Sequence, residues 1–255
     1  MVDAVVLAGG EDRGEIAEAT GVVHRPLLEV GGRPIVQRAL AALRGATSVA
    51  RVALVAPQPV QDVVGEDAVD LRVEAGESFV DNVQRGVEAT EPGSDAVLLV
   101  SGDLPLLTAP AVNDLVDQSM AAPADAVYPI IPRDSCERVF PGARRTYVKL
   151  REGTYTGGNA MVLKRDFVAL RRELIDRLYA ARKNPVKLAG MFGLGFILGL
   201  LLGRLTLPHL EARAGEIVGG RVRAIISTYA ELGFDVDKLE DLNLARQVAD
   251  SFELS

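Results

Sequence analysis

Val2-Asp3-Ala4-Val5-Val6-Leu7-Ala8-Gly9-Gly10 is a short apolar run, rich in valine, that ends in two glycines. Such a run reads as a buried strand passing into a glycine loop. The segments beyond it extend the pattern. Residues 34–44 (PIVQRALAALR) set apolar side chains at helical spacing, with a proline suited to the first helical position. Val49–Ala56 reads as a second strand, residues 78–89 as a helix capped by Ser78, and residues 96–100 as a third strand. A helix over 110–120 and a strand over 126–131 follow. Strands alternating with helices predict an α/β fold with a mostly parallel sheet. In such sheets ligands gather at the carboxyl ends of strands, and both Gly9-Gly10 and Asp103 fall at such ends.

The second half changes character. Residues 147–150 and 160–163 read as strands flanking a Gly-Gly turn within 155–159, and a basic helix is expected over 165–183. An apolar run (188–203), a helix (208–218), a strand (222–227) and a last helix (239–252) follow. No repeat, low-complexity tract or linker interrupts the sequence. One domain over 1–255 is expected, with residues 165–220 a helical insert, basic and then apolar.

The chain has 255 residues and a formal net charge of -7, which argues against nucleic acid as a partner. The charge is unevenly spread. Residues 133–187 hold 14 Lys/Arg against 6 Asp/Glu, while the remainder holds 14 against 29. A single cysteine, Cys136, excludes an internal disulfide and a cysteine-based zinc site, and two histidines, His24 and His209, are too few for a histidine-rich metal centre. His24 reads as a loop residue. The opening segment lacks a basic stretch ahead of its apolar run, so a cytoplasmic location is expected.

Three constellations carry chemistry. Leu7, Ala8, Gly9 and Gly10 let backbone N–H groups approach a ligand closely, and Arg13 and Arg25 supply guanidinium groups suited to triphosphate oxygens. The same glycines also suit a plain turn. Asp103, between Gly102 and Leu104-Pro105 at a strand end, is a candidate Mg²⁺ ligand, since Mg²⁺ is held by one or two carboxylates plus phosphate oxygens and water. A turn or cap aspartate is the alternative. Asp235 and Asp237 alternate in an extended segment and so share a face, where one or both can complete a metal site; Asp241 falls in the first turn of the next helix.

Leu-Ala-Gly-Gly at the first strand end, Gly31-Gly32-Arg33-Pro34-Ile35, Gly102-Asp103-Leu104-Pro105 and Phe234-Asp235-Val236-Asp237 ahead of Glu240-Asp241-Leu242 together resemble the MobA-like nucleotidyltransferase family. The resemblance covers residues 1–132 and 222–250 well and the part between loosely. It implies a Rossmann-like three-layer sandwich of the GT-A type that moves NMP from an NTP to an acceptor and releases pyrophosphate, with Mg²⁺ as cofactor. It also implies Ala8, Gly9 and Gly10 against base and phosphates, Asp103 and Asp235 on the metal, and base and ribose recognition by Gly76, Ser78 and Asn82. Two departures stand out: the loop Gly10-Glu11-Asp12-Arg13-Gly14 is one residue short and acidic, and Arg25 stands where the family has lysine.

The expected partners are an NTP and a small anionic acceptor, phosphorylated or cofactor-like. A non-catalytic nucleotide-binding or regulatory protein of the same fold is the alternative, and a GT-A glycosyltransferase a weaker one. Arg144, Arg145 and Lys149, beside Gly157, Gly158 and Asn159, can hold the acceptor. Arg171, Arg172, Arg177, Arg182, Lys183 and Lys187 instead suit a basic surface facing anionic lipid, or a solvated helix face. The apolar run 188–203 is shorter than the roughly 20 residues of a spanning helix and carries Gly195, Gly199 and Gly203 four apart. Its readings are a buried core or homodimer helix, insertion into a membrane surface, or a span.

Overall fold

The computed structural model describes residues 1–253 apart from 92, 170, 173, 176 and 178–189. Its main sheet has nine strands: β1 (Val2–Leu7), β2 (Val49–Ala56), β3 (Leu71–Glu74), β4 (Ala96–Ser101), β5 (Ala126–Pro132), β6 (Val148–Lys149), β7 (Thr154–Gly157), β8 (Ala160–Lys164) and β9 (Val222–Ile226). The order is β3-β2-β1-β4-β8-β5-β7-β6, with β9 on β5. The first four neighbours are parallel, β9 joins β5 in parallel, and β8 runs antiparallel between β4 and β5.

Strand alternation divides the core between two faces. Val2, Ala4 and Val6 of β1 pack with Ile35, Val36, Ala39, Leu40 and Leu43 of α1 (Ile35–Gly45), with Leu115 of α3 (Ala109–Ala121) and with Leu242 of α8 (Leu239–Glu253). Val5 faces the other way, toward Val83 and Val87 of α2 (Phe79–Ala89) and Phe167 of α5 (Arg165–Ala169). Helices therefore cover both faces, as a sheet of continuous apolar strands requires.

The helix starts follow local chemistry. Ser78 caps α2 by accepting the Asp81 N–H at 3.1 Å, and Thr108 accepts the Ala111 N–H at 3.3 Å to cap α3. Thr108 also donates to the buried Glu231 at 2.7 Å, tying the loop after β4 to the segment before Asp235. Asp125, at the start of β5, joins three strands: it accepts from the Arg221 backbone N–H ahead of β9 at 2.8 Å and from Lys164 at the end of β8 at 2.9 Å.

The second half departs from expectation at the Gly-Gly turn, at Arg171 and in the apolar run. Gly157-Gly158 is not a hairpin turn. The hairpin joins β6 to β7, and β7 runs on into β8 through a bend at Gly158-Asn159, because β7 pairs with β5 while β8 pairs with β4 and β5. Of the basic helix, α5 is described over Arg165–Ala169, and Arg182, Lys183 and Lys187 lie outside the described residues. Arg172 and Arg177 are exposed, whereas Arg171 turns inward to the carbonyls of Val218 and Gly219 at the C-terminus of α7 (Leu207–Val218). The apolar run contains α6 (Leu194–Leu201), which has no buried residue and so is not a core helix; Leu188 and Ala189 lie outside the described residues. Gly199 packs against Leu205 and Gly203 against the Lys149 side chain, while among the described residues no atom lies within 4 Å of a Cβ placed on Gly195. No helix among the described residues is long and apolar enough to cross a membrane.

Candidate active site

A cleft of about 630 Å³ opens at the carboxyl ends of β1 and β4. Leu7, Ala8, Gly9 and Gly10 line it with Phe79 and Asn82 of α2, and so do Arg25, Asp103, Asp235 and Asp237, together with Tyr128, Gly158 and Asn159.

The close approach of the first loop depends on missing Cβ atoms. A Cβ on Gly9 would lie 2.9 Å from Asn82 Nδ2, and one on Gly102 would lie 2.6 Å from Ala8 Cβ. Gly102 N–H donates to Leu7 O at 2.9 Å, locking the two strand ends together. Asn82 is buried and its Oδ1 accepts the Gly76 N–H at 2.6 Å, so Gly76 acts behind Asn82 and not on the cleft surface. Ser78 is engaged as the helix cap. His24 bonds through Nδ1 to Gly10 O at 3.0 Å, holding the loop from outside.

The carboxylates converge from separate parts of the chain. Val236 N–H donates to the Asp103 carbonyl at 3.3 Å, bringing the C-terminal segment onto the end of β4. Burial pushes the Asp103 carboxyl above its ordinary range against the opposing pull of the Ser101 hydroxyl and Arg25. Asp235 is pushed up to about 6, by burial first and then by the charges of Asp103 and Asp237. Two carboxylates that are costly to ionise side by side suit a divalent cation, which relieves their repulsion. Among the described residues, no group of three or more His, Cys, Asp or Glu side chains can hold a metal ion. Two carboxylates alone leave most of a cation's shell to phosphate oxygens and water, the kind of donor set on which a hard divalent cation can be held.

Each acidic group also has an arginine partner. Arg25 Nε donates to Asp12 at 2.8 Å, its Nη1 bonds to Asp237, and Nη1 lies 3.5 Å from Asp103. Arg145, 9% exposed at its side chain, donates to the Asp235 carboxylate at 2.8 Å and to the Asp235 carbonyl at 3.1 Å. It stacks 4.5 Å from the Phe234 ring centroid. Arg145 is thus turned onto Asp235 and is not among the cleft-lining residues. Two further predicted residues stand away from the cleft: Arg13 is exposed and bonds to Glu11, and Lys149 lies on β6 beside Gly203. Glu11, Asp12, Phe79, Tyr128 and Met161 line the cleft without having been singled out from the sequence. An isolated aromatic among strand residues gives no sign of which face it takes, whereas the acidity of the loop was the visible signal for Glu11 and Asp12.

A glycine loop at one parallel strand end and paired carboxylates at the next define a nucleotide-binding α/β protein. The MobA-like NTP transferase domain model matches residues 4–232, and the chain belongs to that family. A hypothetical transferase structure from Thermus thermophilus superposes with a TM-score of 0.84 at 37% identity, covering 95% of this chain and 100% of that one. A 2-C-methyl-D-erythritol 4-phosphate cytidylyltransferase from Frankia casuarinae is 29% identical over 178 residues, 69% of this chain and 65% of the relative. The chain therefore spans just under two thirds of that relative's length. A CMP:2-keto-3-deoxy-manno-octonic acid synthetase complexed with CTP shares the fold, with a TM-score of 0.64 at 14% identity over 98% of each chain.

Proposed function

We propose that this protein is a Mg²⁺-dependent nucleotidyltransferase that moves NMP from an NTP to a small phosphorylated acceptor and releases pyrophosphate. The convergence of Asp103 and Asp235 on the cleft that the Gly9-Gly10 loop also lines is the observation that carries it. Family membership and the cytidylyltransferase relative support the reaction class.

In the reaction, an acceptor phosphate oxygen forms a bond to the α-phosphorus. The bond from that phosphorus to the α–β bridging oxygen breaks, and pyrophosphate leaves with the electron pair. A phosphate acceptor is already anionic at neutral pH, so no general base is needed, in keeping with a cleft that His24 supports only from behind. Asp103 and Asp235 would hold Mg²⁺, which supplies charge neutralisation at the phosphates when bound. The protein's own work is positioning. Gly9 and Gly10 admit the triphosphate closely, Asn82 and Phe79 border the nucleoside, and Arg145 fixes the orientation of Asp235. Arg25 exchanges its carboxylate partners for phosphate oxygens, as a bidentate donor can.

The test is pyrophosphate release with each NTP and Mg²⁺ over a panel of acceptor phosphates. Asp103→Ala should lower the rate by at least ~100-fold, since removing even a supporting partner of a metal ligand costs about 10- to 100-fold. Unchanged release in that variant would leave a nucleotide-binding protein without this catalysis.

A further inference from the structure

A second cavity of about 280 Å³ adjoins the cleft, and its chemistry is different. Ile130, Leu150, Tyr155, Leu207, Leu210 and Val222 contribute to its walls, drawn from β5, the β6–β7 hairpin, α7 and β9. Its two charged members neutralise each other: Arg223 donates to Glu211 at 2.8 Å, and the other Glu211 oxygen accepts the Ala224 N–H at 2.8 Å. The groove therefore offers hydrocarbon surface and few polar groups to a ligand.

Sheet register joins the two cavities. Met161 pairs with Leu99, Val162 pairs with Val127 so that Met161 falls beside Tyr128, and Tyr128 pairs with Ala224. Leu99, Met161, Tyr128 and Ala224 thus form one row on one face of the sheet. The first three line the cleft, and Tyr128 and Ala224 line the groove. Tyr128 is the shared wall. Its hydroxyl donates to Gly158 O at 2.7 Å, and its ring takes the space that a Cβ on Gly157 would need, 2.2 Å from Tyr128 Oη.

We infer that the acceptor is an amphiphile: its phosphate lies in the polar cleft and its hydrocarbon portion crosses Tyr128 into the apolar groove. The identity of the ligand as acceptor rests on the nucleotidyl-transfer reading; the hydrocarbon site itself rests on the groove. A wall of aliphatic side chains whose charges are internally paired selects for methylenes, and each methylene it buries should tighten binding about fourfold.

The experiment is calorimetric titration of the full chain with ethyl, butyl, hexyl and octyl phosphate, with NTP binding measured on the same samples. Affinity should rise about fourfold per methylene until the groove is filled. Leu210→Glu, which places a charge in the groove, and Ala214→Phe, which fills it, should both flatten the series while leaving NTP affinity within twofold. Leu210 and Ala214 are only partly buried, and retained NTP binding reports that the variants fold. A parallel arm presents dodecyl phosphate in phosphatidylcholine vesicles and separates a membrane-borne acceptor from a soluble one. Affinity that rises with chain length in solution, or vesicle binding that both variants abolish, supports the site. Affinity that is flat in solution, together with vesicle binding that is absent or unchanged by the variants, overturns it. Absence of pyrophosphate release with every acceptor would instead overturn the reaction and leave the groove's binding result standing.

Discussion

The sheet around β1 and the helical region around α6 and α7 are both rich in aliphatic residues, yet they use them in opposite ways. In β1, Val2, Ala4, Val5 and Val6 are each 0% exposed, and helices cover both faces. In α6, Leu194, Leu198 and Leu201 are exposed, and neither α6 nor α7 has a buried residue. Apolar content alone does not define a core. The first region spends its side chains on rigidity, which the Gly9, Gly102 and Asp103 geometry requires; the second leaves aliphatic surface open beside a groove.

Substitutions can break this contrast, the largest effect first. Leu98→Ala, in a fully buried β4 position, should cost about 2–5 kcal/mol in denaturant unfolding. Gly102→Ala forces a Cβ to 2.6 Å from Ala8 Cβ, at strand ends that cannot move independently. It should destabilise by about 1–3 kcal/mol and depress NTP binding, as read by thermal shift. Asp125 tests the tie between the regions. The Arg221 backbone N–H, then Lys164, hold its carboxyl down at about 2. A carboxylate with a depressed folded pKa adds stability that is full above its unfolded value and is lost as pH falls toward 2. Acid titration should therefore loosen β9 from β5 first, visible as faster amide exchange in residues 222–226. Asp125→Asn should remove that acid dependence at a cost of about 1 kcal/mol at pH 7, its partial exposure limiting the loss. Leu201→Ser, 79% exposed, should change stability by less than about 0.5 kcal/mol. A loss of several kcal/mol there would mean that α6 packs as core.

The site was legible where its chemistry is local. Leu7–Gly10 reads as a strand entering a glycine loop because period and glycine content are properties of consecutive residues, and Asp103 and Asp235 are marked by their neighbours in the same way. Arg145 was visible as a charge, but its bond to Asp235 spans 90 positions and depends on the C-terminal segment docking through Val236. Arg13 and Arg25 look alike in sequence. Only folding turns Arg25 between Asp12, Asp103 and Asp237 and leaves Arg13 in solvent. Gly157-Gly158 carries the composition of a turn and of a strand bend alike, and the partner strands decide between them.

The sequence by itself determined the α/β class, the strands over 2–7, 49–56 and 96–100, the cap at Ser78, and the residues whose chemistry the proposed function draws on. These follow from spacing along the chain, where each residue acts on near neighbours. Tertiary structure alone decided that β8 enters antiparallel between β4 and β5, that Tyr128 lines both a polar cleft and an apolar groove, and that α6 has no buried residue. Those are properties of which distant surfaces meet, and burial is set by the partner, not by the hydrophobicity of the segment.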